Sequence, residues 1–168
     1  MSLRILSLGD SYTIGEGVSP EESWPFMLKA WLAGEKISVG NVRVIARTGW
    51  TTGELIEAIK EASPSGPYDL VTLLVGVNNQ YRGLGLEEYR KEFGRLVDTA
   101  AGFTDGHHDR VMVISIPDWG ITPFAANRDR NKIALEIDEF NRVAREEALK
   151  RNAAFIAVSY THLRAHET

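Results

Sequence analysis

A short apolar run near the amino terminus passes directly into a loop rich in glycine. Residues 3–8 read Leu-Arg-Ile-Leu-Ser-Leu, which is typical of a short buried strand. The sequence Gly-Asp-Ser-Tyr-Thr-Ile-Gly-Glu-Gly follows at residues 9–17. Ligands bind at the carboxyl ends of strands in open α/β sheets, so this position favours Ser11 as a functional residue. The alternative is a solvent-exposed turn built from Gly, Asp and Ser, which are common turn residues.

Predicted strands and helices alternate along the rest of the chain. Further strands are predicted at residues 37–46, 69–75, 110–116 and 153–158. Helices are predicted at about residues 24–34, 52–62, 86–101 and 129–152, the second with Thr51 or Thr52 as its N-cap. This alternation predicts an α/β fold with a parallel sheet covered by helices on both faces, a three-layer α/β/α sandwich.

The composition and net charge of the chain argue against several kinds of binding partner and reaction. The chain has 168 residues, which predicts one domain, and its net charge of -4 argues against nucleic acid or an anionic membrane as a partner. It contains no cysteine, so disulfide and thiolate chemistry are excluded. No apolar run reaches the roughly 20 residues of a membrane-spanning helix. The apolar run at residues 3–8 is too short for a signal peptide, which predicts a cytoplasmic location; a secreted protein whose signal peptide has been removed would show the same sequence pattern. No feature indicates an oligomeric state.

Three sequence blocks resemble the GDSL, or SGNH, family of serine esterases and lipases. The first is residues 9–17, and the second is Arg-Thr-Gly-Trp-Thr-Thr around Gly49. The third is Gly-Val-Asn-Asn at residues 76–79, which ends in Asn79 where the family has Asp. The resemblance extends from about residue 3 to residue 158. It implies a five-stranded parallel sheet in the flavodoxin-like order 2-1-3-4-5 and a reaction that needs no cofactor and no metal.

The resemblance also implies a role for individual residues. Ser11 is the expected nucleophile and forms an acyl-enzyme. The backbone N–H groups of Ser11 and Gly49, with the side-chain amide of Asn78, are the expected donors to the oxyanion. The substrate is then a small-molecule carboxylic ester, of the lysophospholipase or acetylesterase type. Four further residues are predicted to contact the substrate: Asp10, Trp50, Asn79 and Trp119.

The general base departs from the family pattern. The family's fourth block is Asp-x-x-His, whereas His162 here is preceded by Ser159 at the Asp position. His162 is the predicted base if the tail folds back over the carboxyl edge of the sheet. Residues 1–158 are predicted to form the hydrolase-like domain, and residues 159–168 a tail that is atypical of the family, truncated or foreign in character.

Two other functions compete with ester hydrolysis. A catalytically incomplete hydrolase domain would bind an acyl or carbohydrate ligand without turnover, which the missing fourth block favours. A flavodoxin-like mononucleotide binder is disfavoured because Asp10 and Glu16 would repel a phosphate and the loop lacks a P-loop lysine. The apolar pattern of the first long helix, which includes Trp24, Met27 and Trp31, predicts a face in the core or in the wall of a groove.

Overall fold

Helices and strands alternate through residues 1–158, the part of the chain that the computed structural model describes. The strands are β1 (Leu3–Gly9), β2 (Val39–Ala46), β3 (Leu70–Leu74), β4 (Val111–Ile114) and β5 (Ala154–Ile156). The helices are α1 (Ser11–Ile14), α2 (Trp24–Gly34), α3 (Thr52–Ala62), α4 (Val77–Tyr81), α5 (Leu86–Gly102) and α6 (Arg130–Lys150). All strand pairs are parallel, and the sheet order is β2-β1-β3-β4-β5. The predicted sheet order and α/β/α fold class are confirmed.

The register of the three strands at one side of the sheet brings their ends level. Gly9, the last residue of β1, lies opposite Ala46 of β2 and Leu74 of β3. The segments that leave these three strands therefore start side by side at one edge of the sheet. Parallel strands place their carboxyl ends at the same edge, which is where ligands bind in sheets of this kind.

A continuous apolar core holds this sheet between its helices. The central strands β1 and β3 contribute side chains with no exposed surface, including Leu6, Leu8 and Leu73. Leu55 of α3, Phe93 of α5 and Ile137 of α6 belong to the same buried cluster. Strands covered on both faces carry near-continuous apolar sequences, which is why they were predictable from the sequence.

Helix α2 departs from its predicted packing. Met27 exposes 58% and Trp31 62% of their surface, so the core, one of the two predicted positions of this helix face, is excluded for these two residues. The helix packs beside β2, an edge strand, and Pro25 is its only buried residue. An edge strand offers too narrow a surface to cover an apolar pattern that extends so far around the helix.

Helix α4 and the N-cap of α3 add two local details to the predicted fold. Helix α4 is absent from the helices predicted from the sequence. The N-cap of α3 is Thr51, which forms a capping box with Glu54. Across residues 1–158, no helix combines the length and apolar character needed to cross a bilayer.

Candidate active site

The loop after β1 presents Ser11 on a tight turn. Asp10 is the N-cap of α1, and its Oδ1 accepts a hydrogen bond from the N–H of Tyr12 at 3.1 Å. A Cβ at Gly9 would collide with the side chain of Thr13 and lie 2.6 Å from the carbonyl oxygen of Leu74. Only glycine therefore allows α1 to start so close to the end of β3, which places Ser11 at the edge of the sheet.

A cavity of about 440 Å³ opens beside Ser11. Its lining combines residues from the ends of β1, β2 and β3 with residues that follow β4. The lining residues are Ser11, Tyr12, Glu16, Thr48, Gly49, Val77, Asn78, Tyr81, Trp119, Thr122 and Phe124. The structure thus brings Ser11, Gly49 and Asn78, from three separate sequence blocks, to one cavity.

The loop that carries Gly49 is held in place from outside the cavity. Gly49 has a φ angle of +90°, which residues with a side chain rarely adopt. Nη2 of Arg82 donates to the carbonyl oxygen of Gly49 at 2.6 Å, and Nη1 of Arg82 pairs with Glu54 at 3.1 Å. In the described part of the chain, the N–H groups of Ser11 and Gly49 donate no hydrogen bond, so both are available as donors.

The amide of Asn78 is oriented by the neighbouring loop. Its Nδ2 donates to the carbonyl oxygen of Trp50 at 2.9 Å, so one of its two amide hydrogens is engaged. The second hydrogen remains for a ligand, and Asn78 lies on the cavity wall. Asn78 is the second residue of α4, and this short helix fixes its position after β3.

Asn79 does not line the cavity as Asn78 does, but holds two neighbouring segments together. It is 1% exposed, and its Oδ1 accepts from the N–H of Thr52 at 3.1 Å. Its Nδ2 donates to Oγ1 of Thr52 at 2.9 Å, and that hydroxyl in turn donates to Oε1 of Glu92 at 2.8 Å. These bonds join the start of α3 to α4 beneath the cavity, so Asn79 couples two of the loops that form it.

Burial controls the titration of two side chains in the first loop. Asp10 has no exposed surface, and its Oδ2 has no hydrogen-bond partner among residues 1–158. Burial raises the pKa of Asp10 to about 7, against the smaller opposing effect of the hydrogen bond from Tyr12. Burial, with the charges of Asp10 and Asp118, raises the pKa of Tyr12 to about 12. Tyr12 is therefore neutral at physiological pH.

The four predicted substrate contacts divide into one on the cavity wall and three away from it. Trp119 lines the cavity. Asp10 and Asn79 are buried beneath it, because their side chains cap α1 and join α3 to α4. Trp50 faces a groove between β2 and α3 and contributes only its carbonyl oxygen to the site. The structure does not bring these three side chains to the cavity. His162 lies outside the described residues.

The sequence did not reveal Phe124, which is 69% exposed and lines the cavity. It lies in a segment of short 3₁₀ turns after β4, to which the sequence pattern assigned no helix or strand. Its position beyond the carboxyl end of a strand was the available signal. No group of three or more potential metal ligands occurs within residues 1–158.

A match to a family model assigns this α/β/α chain to a class of ester hydrolases. A family model for the GDSL-like lipase/acylhydrolase family matches residues 7–168, and the chain belongs to this family. The family establishes the chain as an enzyme of ester hydrolysis, as the sequence predicted. No curated protein matches the chain significantly.

Solved structures show the same fold at low sequence identity. AlinE4, an SGNH-hydrolase family esterase, superposes with a TM-score of 0.73 at 22% identity, covering 93% of this chain and 76% of AlinE4. TesA superposes with a TM-score of 0.71 at 20% identity, covering 90% of this chain and 76% of TesA. The lipase/acylhydrolase from Enterococcus faecalis gives 0.69 at 21% identity, covering 98% of this chain and 80% of the other.

Proposed function

We propose that the chain hydrolyses carboxylic esters with Ser11 as nucleophile. The observation that carries this proposal is the convergence of Ser11, Gly49 and Asn78 on one cavity. Acyl transfer needs a nucleophile with donors aimed at the developing oxyanion. The free N–H groups of Ser11 and Gly49 and the remaining amide hydrogen of Asn78 are three such donors. Removing one donor from a comparable site costs about 3–4 kcal/mol of transition-state stabilisation.

The proposed reaction has two steps. Oγ of Ser11 attacks the carbonyl carbon and gives its proton to a general base, while the carbonyl oxygen becomes an oxyanion held by the three donors. The carbon–oxygen bond to the alcohol then breaks, and the alcohol leaves with the proton. Water attacks the acyl-enzyme in the second step, which releases the acid and restores the hydroxyl of Ser11. His162 remains the proposed base.

The walls of the cavity support an acyl esterase of the lysophospholipase type. Tyr81, Trp119 and Phe124 form an aromatic cluster, with ring centroids 5.6 Å apart for Tyr81 and Trp119 and 5.7 Å for Trp119 and Phe124. Phe124 and Tyr81 expose 69% and 48% of their surface, so they offer apolar area to a ligand. Burial of such area by an acyl chain is favourable at about 25 cal/mol per Å².

Labelling with a fluorophosphonate probe tests the nucleophile. Wild-type protein should gain the mass of one probe, and Ser11→Ala should gain none. Ser19→Ala is the matched control, because Ser19 is an exposed serine of the same loop and makes no capping bond. Labelling of Ser11→Ala would show that another residue reacts. Absence of labelling in folded wild-type protein would show that Ser11 is not activated.

The base is tested with the same probe. His162→Ala should slow labelling by several orders of magnitude, because a serine hydroxyl is a weak nucleophile without a base. His107→Ala is the control, since His107 is exposed and precedes β4 at the opposite edge of the sheet. Equal labelling rates in wild type and His162→Ala would exclude His162 as the base.

A second candidate function is favoured by one sequence observation. Ser159 stands where the family's fourth block has Asp, so a histidine at position 162 would lack its usual carboxylate partner. A domain without an effective base would bind esters without turnover. Unlabelled protein that binds a short-chain ester with measurable affinity would support this function over hydrolysis.

A further inference from the structure

A second cavity of about 380 Å³ adjoins the one beside Ser11. The two cavities share the side chains of Tyr81 and Trp119 as a common wall. The second cavity is also lined by Arg128, which precedes α6, and by Lys132, which lies in the first turn of α6. A ligand that fills the first cavity and passes over the aromatic wall would therefore meet cationic side chains.

The guanidinium of Arg128 is held against the aromatic cluster. Its Cζ lies 5.1 Å from the ring centroid of Tyr81, 5.6 Å from that of Trp119 and 5.8 Å from that of Phe124. Its Nη2 donates to the hydroxyl of Tyr81 at 3.0 Å. Cation–π contacts of this length orient a guanidinium without using the hydrogen-bonding capacity of its other N–H groups.

The wall that supports Arg128 is itself fixed. Nε1 of Trp119 donates to Oε1 of Gln80 at 2.8 Å, and Nε2 of Gln80 donates to Glu136 at 3.0 Å. Both Trp119 and Gln80 are buried. The ring of Trp119 under Arg128 therefore holds one arrangement before any ligand arrives, which reduces the entropic cost of binding.

Neither cation of this cavity is neutralised by an ion pair within residues 1–158. The cavity also contains two carboxylates, and each has a structural hydrogen bond. Asp129 accepts from the N–H of Lys132 at 3.0 Å as the N-cap of α6, and Glu136 accepts from Gln80. The two positive and two negative formal charges of the lining sum to zero. An anion would therefore be bound through the oriented N–H donors of Arg128 and Lys132 and not through a net positive charge.

We propose that Arg128, assisted by Lys132, binds an anionic group of the ester substrate. A planar guanidinium with free N–H groups matches the paired oxygens of a phosphate or a carboxylate. The preferred substrates are then esters that carry such an anion beyond the aromatic wall, in addition to an apolar portion that contacts it. This proposal rests on the proposed function, because it takes the cavity beside Ser11 as the place of the ester.

Binding of anions that cannot react tests this site without requiring catalysis. Calorimetric titration with hexyl phosphate and with hexanoate, and with 1-hexanol as the neutral probe, is carried out on wild type, Ser11→Ala and Arg128→Gln. Arg128→Gln should weaken binding of the anions at least about tenfold and leave 1-hexanol unchanged, because it loses charge-assisted hydrogen bonds. Ser11→Ala should bind as wild type does, so a failure of the nucleophile and a failure of the anion site give different results.

Two further variants sharpen the test. Arg130→Gln is the matched control, because Arg130 is an exposed arginine two residues after Arg128, at the first position of α6, and does not line the cavity. Arg128→Lys keeps the charge but loses the planar pair of donors, and it should bind less tightly than wild type. If wild type binds hexyl phosphate more tightly than hexanoate, the anionic group of the substrate is assigned as a phosphate. If it binds hexanoate equally well or more tightly, that group is assigned as a carboxylate. Unchanged affinity in Arg128→Gln, equal weakening in Arg130→Gln, or no binding of either anion would overturn the proposal.

Discussion

The hydroxyl of Thr52 is the point at which two loops of the candidate site meet. It accepts a hydrogen bond from Asn79 and donates one to Glu92. A hydroxyl has only one hydrogen, so it can donate to only one of these neighbours at a time. The neighbour at position 79 must therefore be a donor as long as position 92 is a carboxylate.

Replacing Asn79 with Asp, the residue expected from the family pattern, should destabilise this chain. The substituted carboxylate would place a second acceptor against a hydroxyl that already donates to Glu92, and one buried oxygen would lose its partner. The free energy of unfolding should fall by about 1–3 kcal/mol, the usual cost of an unsatisfied buried polar group. Urea denaturation at neutral pH measures this difference.

A double-mutant cycle supplies the control for Asn79→Asp. In Glu92→Gln the amide at position 92 can donate to Thr52, which frees the hydroxyl to donate to a carboxylate at position 79. Asn79→Asp should therefore cost less in the Glu92→Gln background than in wild type. Equal costs in the two backgrounds would show that the three side chains are not coupled in this way.

Asp10 should make stability depend on pH in a direction opposite to that of a salt-bridged carboxylate. Its pKa is raised from 3.8 to about 7 by burial, so the folded state binds its proton more tightly than the unfolded state. Stability from this group is full below the unfolded pKa and is lost as the pH rises through the folded pKa. The slope is at most about 1.4 kcal/mol per pH unit for one proton.

The variant Asp10→Asn isolates this effect. The substituted amide keeps an oxygen for the N–H of Tyr12 but does not titrate. Between pH 4 and pH 7, a window set by the shift of the pKa of Asp10 from 3.8 to about 7, wild type should lose stability relative to Asp10→Asn. Chemical denaturation at several pH values measures the difference. Parallel stability profiles for the two proteins would contradict the raised pKa of Asp10.

At the scale of elements, one buried carboxylate joins α5 to α6. Glu147 of α6 is 5% exposed and pairs with Arg90 of α5 at 2.8 Å and with Arg151 at 2.9 Å. Removing this shared carboxylate leaves Arg90 only its pair with Glu146 and Arg151 only its pair with Asp98. Glu147→Gln should lower the free energy of unfolding by about 2 kcal/mol, less than for a fully buried pair because both arginines are partly exposed. Thermal and chemical unfolding measure the loss.

Glu139→Gln is the matched control on the same helix. Glu139 pairs with Arg142 at 2.9 Å on the exposed face of α6. Exposed pairs contribute little because water screens both charges. The unfolding midpoint of Glu139→Gln should match that of wild type, and a loss as large as that of Glu147→Gln would contradict the role given to burial.

The elements differ in how well the sequence predicts them. Strand β3 and helix α3 were predictable, because the one has a continuous apolar sequence and the other has a capping Thr51 with Glu54. Helix α4 was not, since five residues are too few to show a helical period. The exposure of Trp31 also escaped prediction, because periodicity shows that a helix has an apolar face but not whether another element covers it.

For the whole molecule, the sheet order predicts a gradient of local stability. Within residues 1–158, β1, β3 and the shorter strand β4 have paired neighbours on both sides, whereas β2 and β5 each have one. Hydrogen-bonded amides of β1 and β3 should therefore exchange with solvent most slowly, and those of β5 fastest among the strands. Hydrogen exchange followed by mass spectrometry measures these rates. Equal protection in β5 and β1 would contradict the gradient.

The alternation of strands and helices predicts the layers of the molecule, but it does not predict the order of strands in the sheet. That order came from the resemblance of three sequence blocks to a family. The same resemblance indicated Ser11, Gly49 and Asn78, which line one cavity. It could not separate side chains on the cavity wall from supporting ones such as Asp10 and Asn79, because burial depends on contacts between distant segments. A cytoplasmic location and the division after residue 158 stay predictions.

The single hydrogen of Thr52 also bears on how such a chain can change over generations. Carboxylates at positions 79 and 92 would compete for that one hydrogen. A homologue with a carboxylate at one of these positions should therefore have a residue other than Asp or Glu at the other position. If Asn79 is replaced by Asp while Glu92 is still present, the resulting variant is less stable. This variant is avoided only when position 92 changes first. Family members with Asp at the place of Asn79 should therefore rarely carry an acid at the place of Glu92.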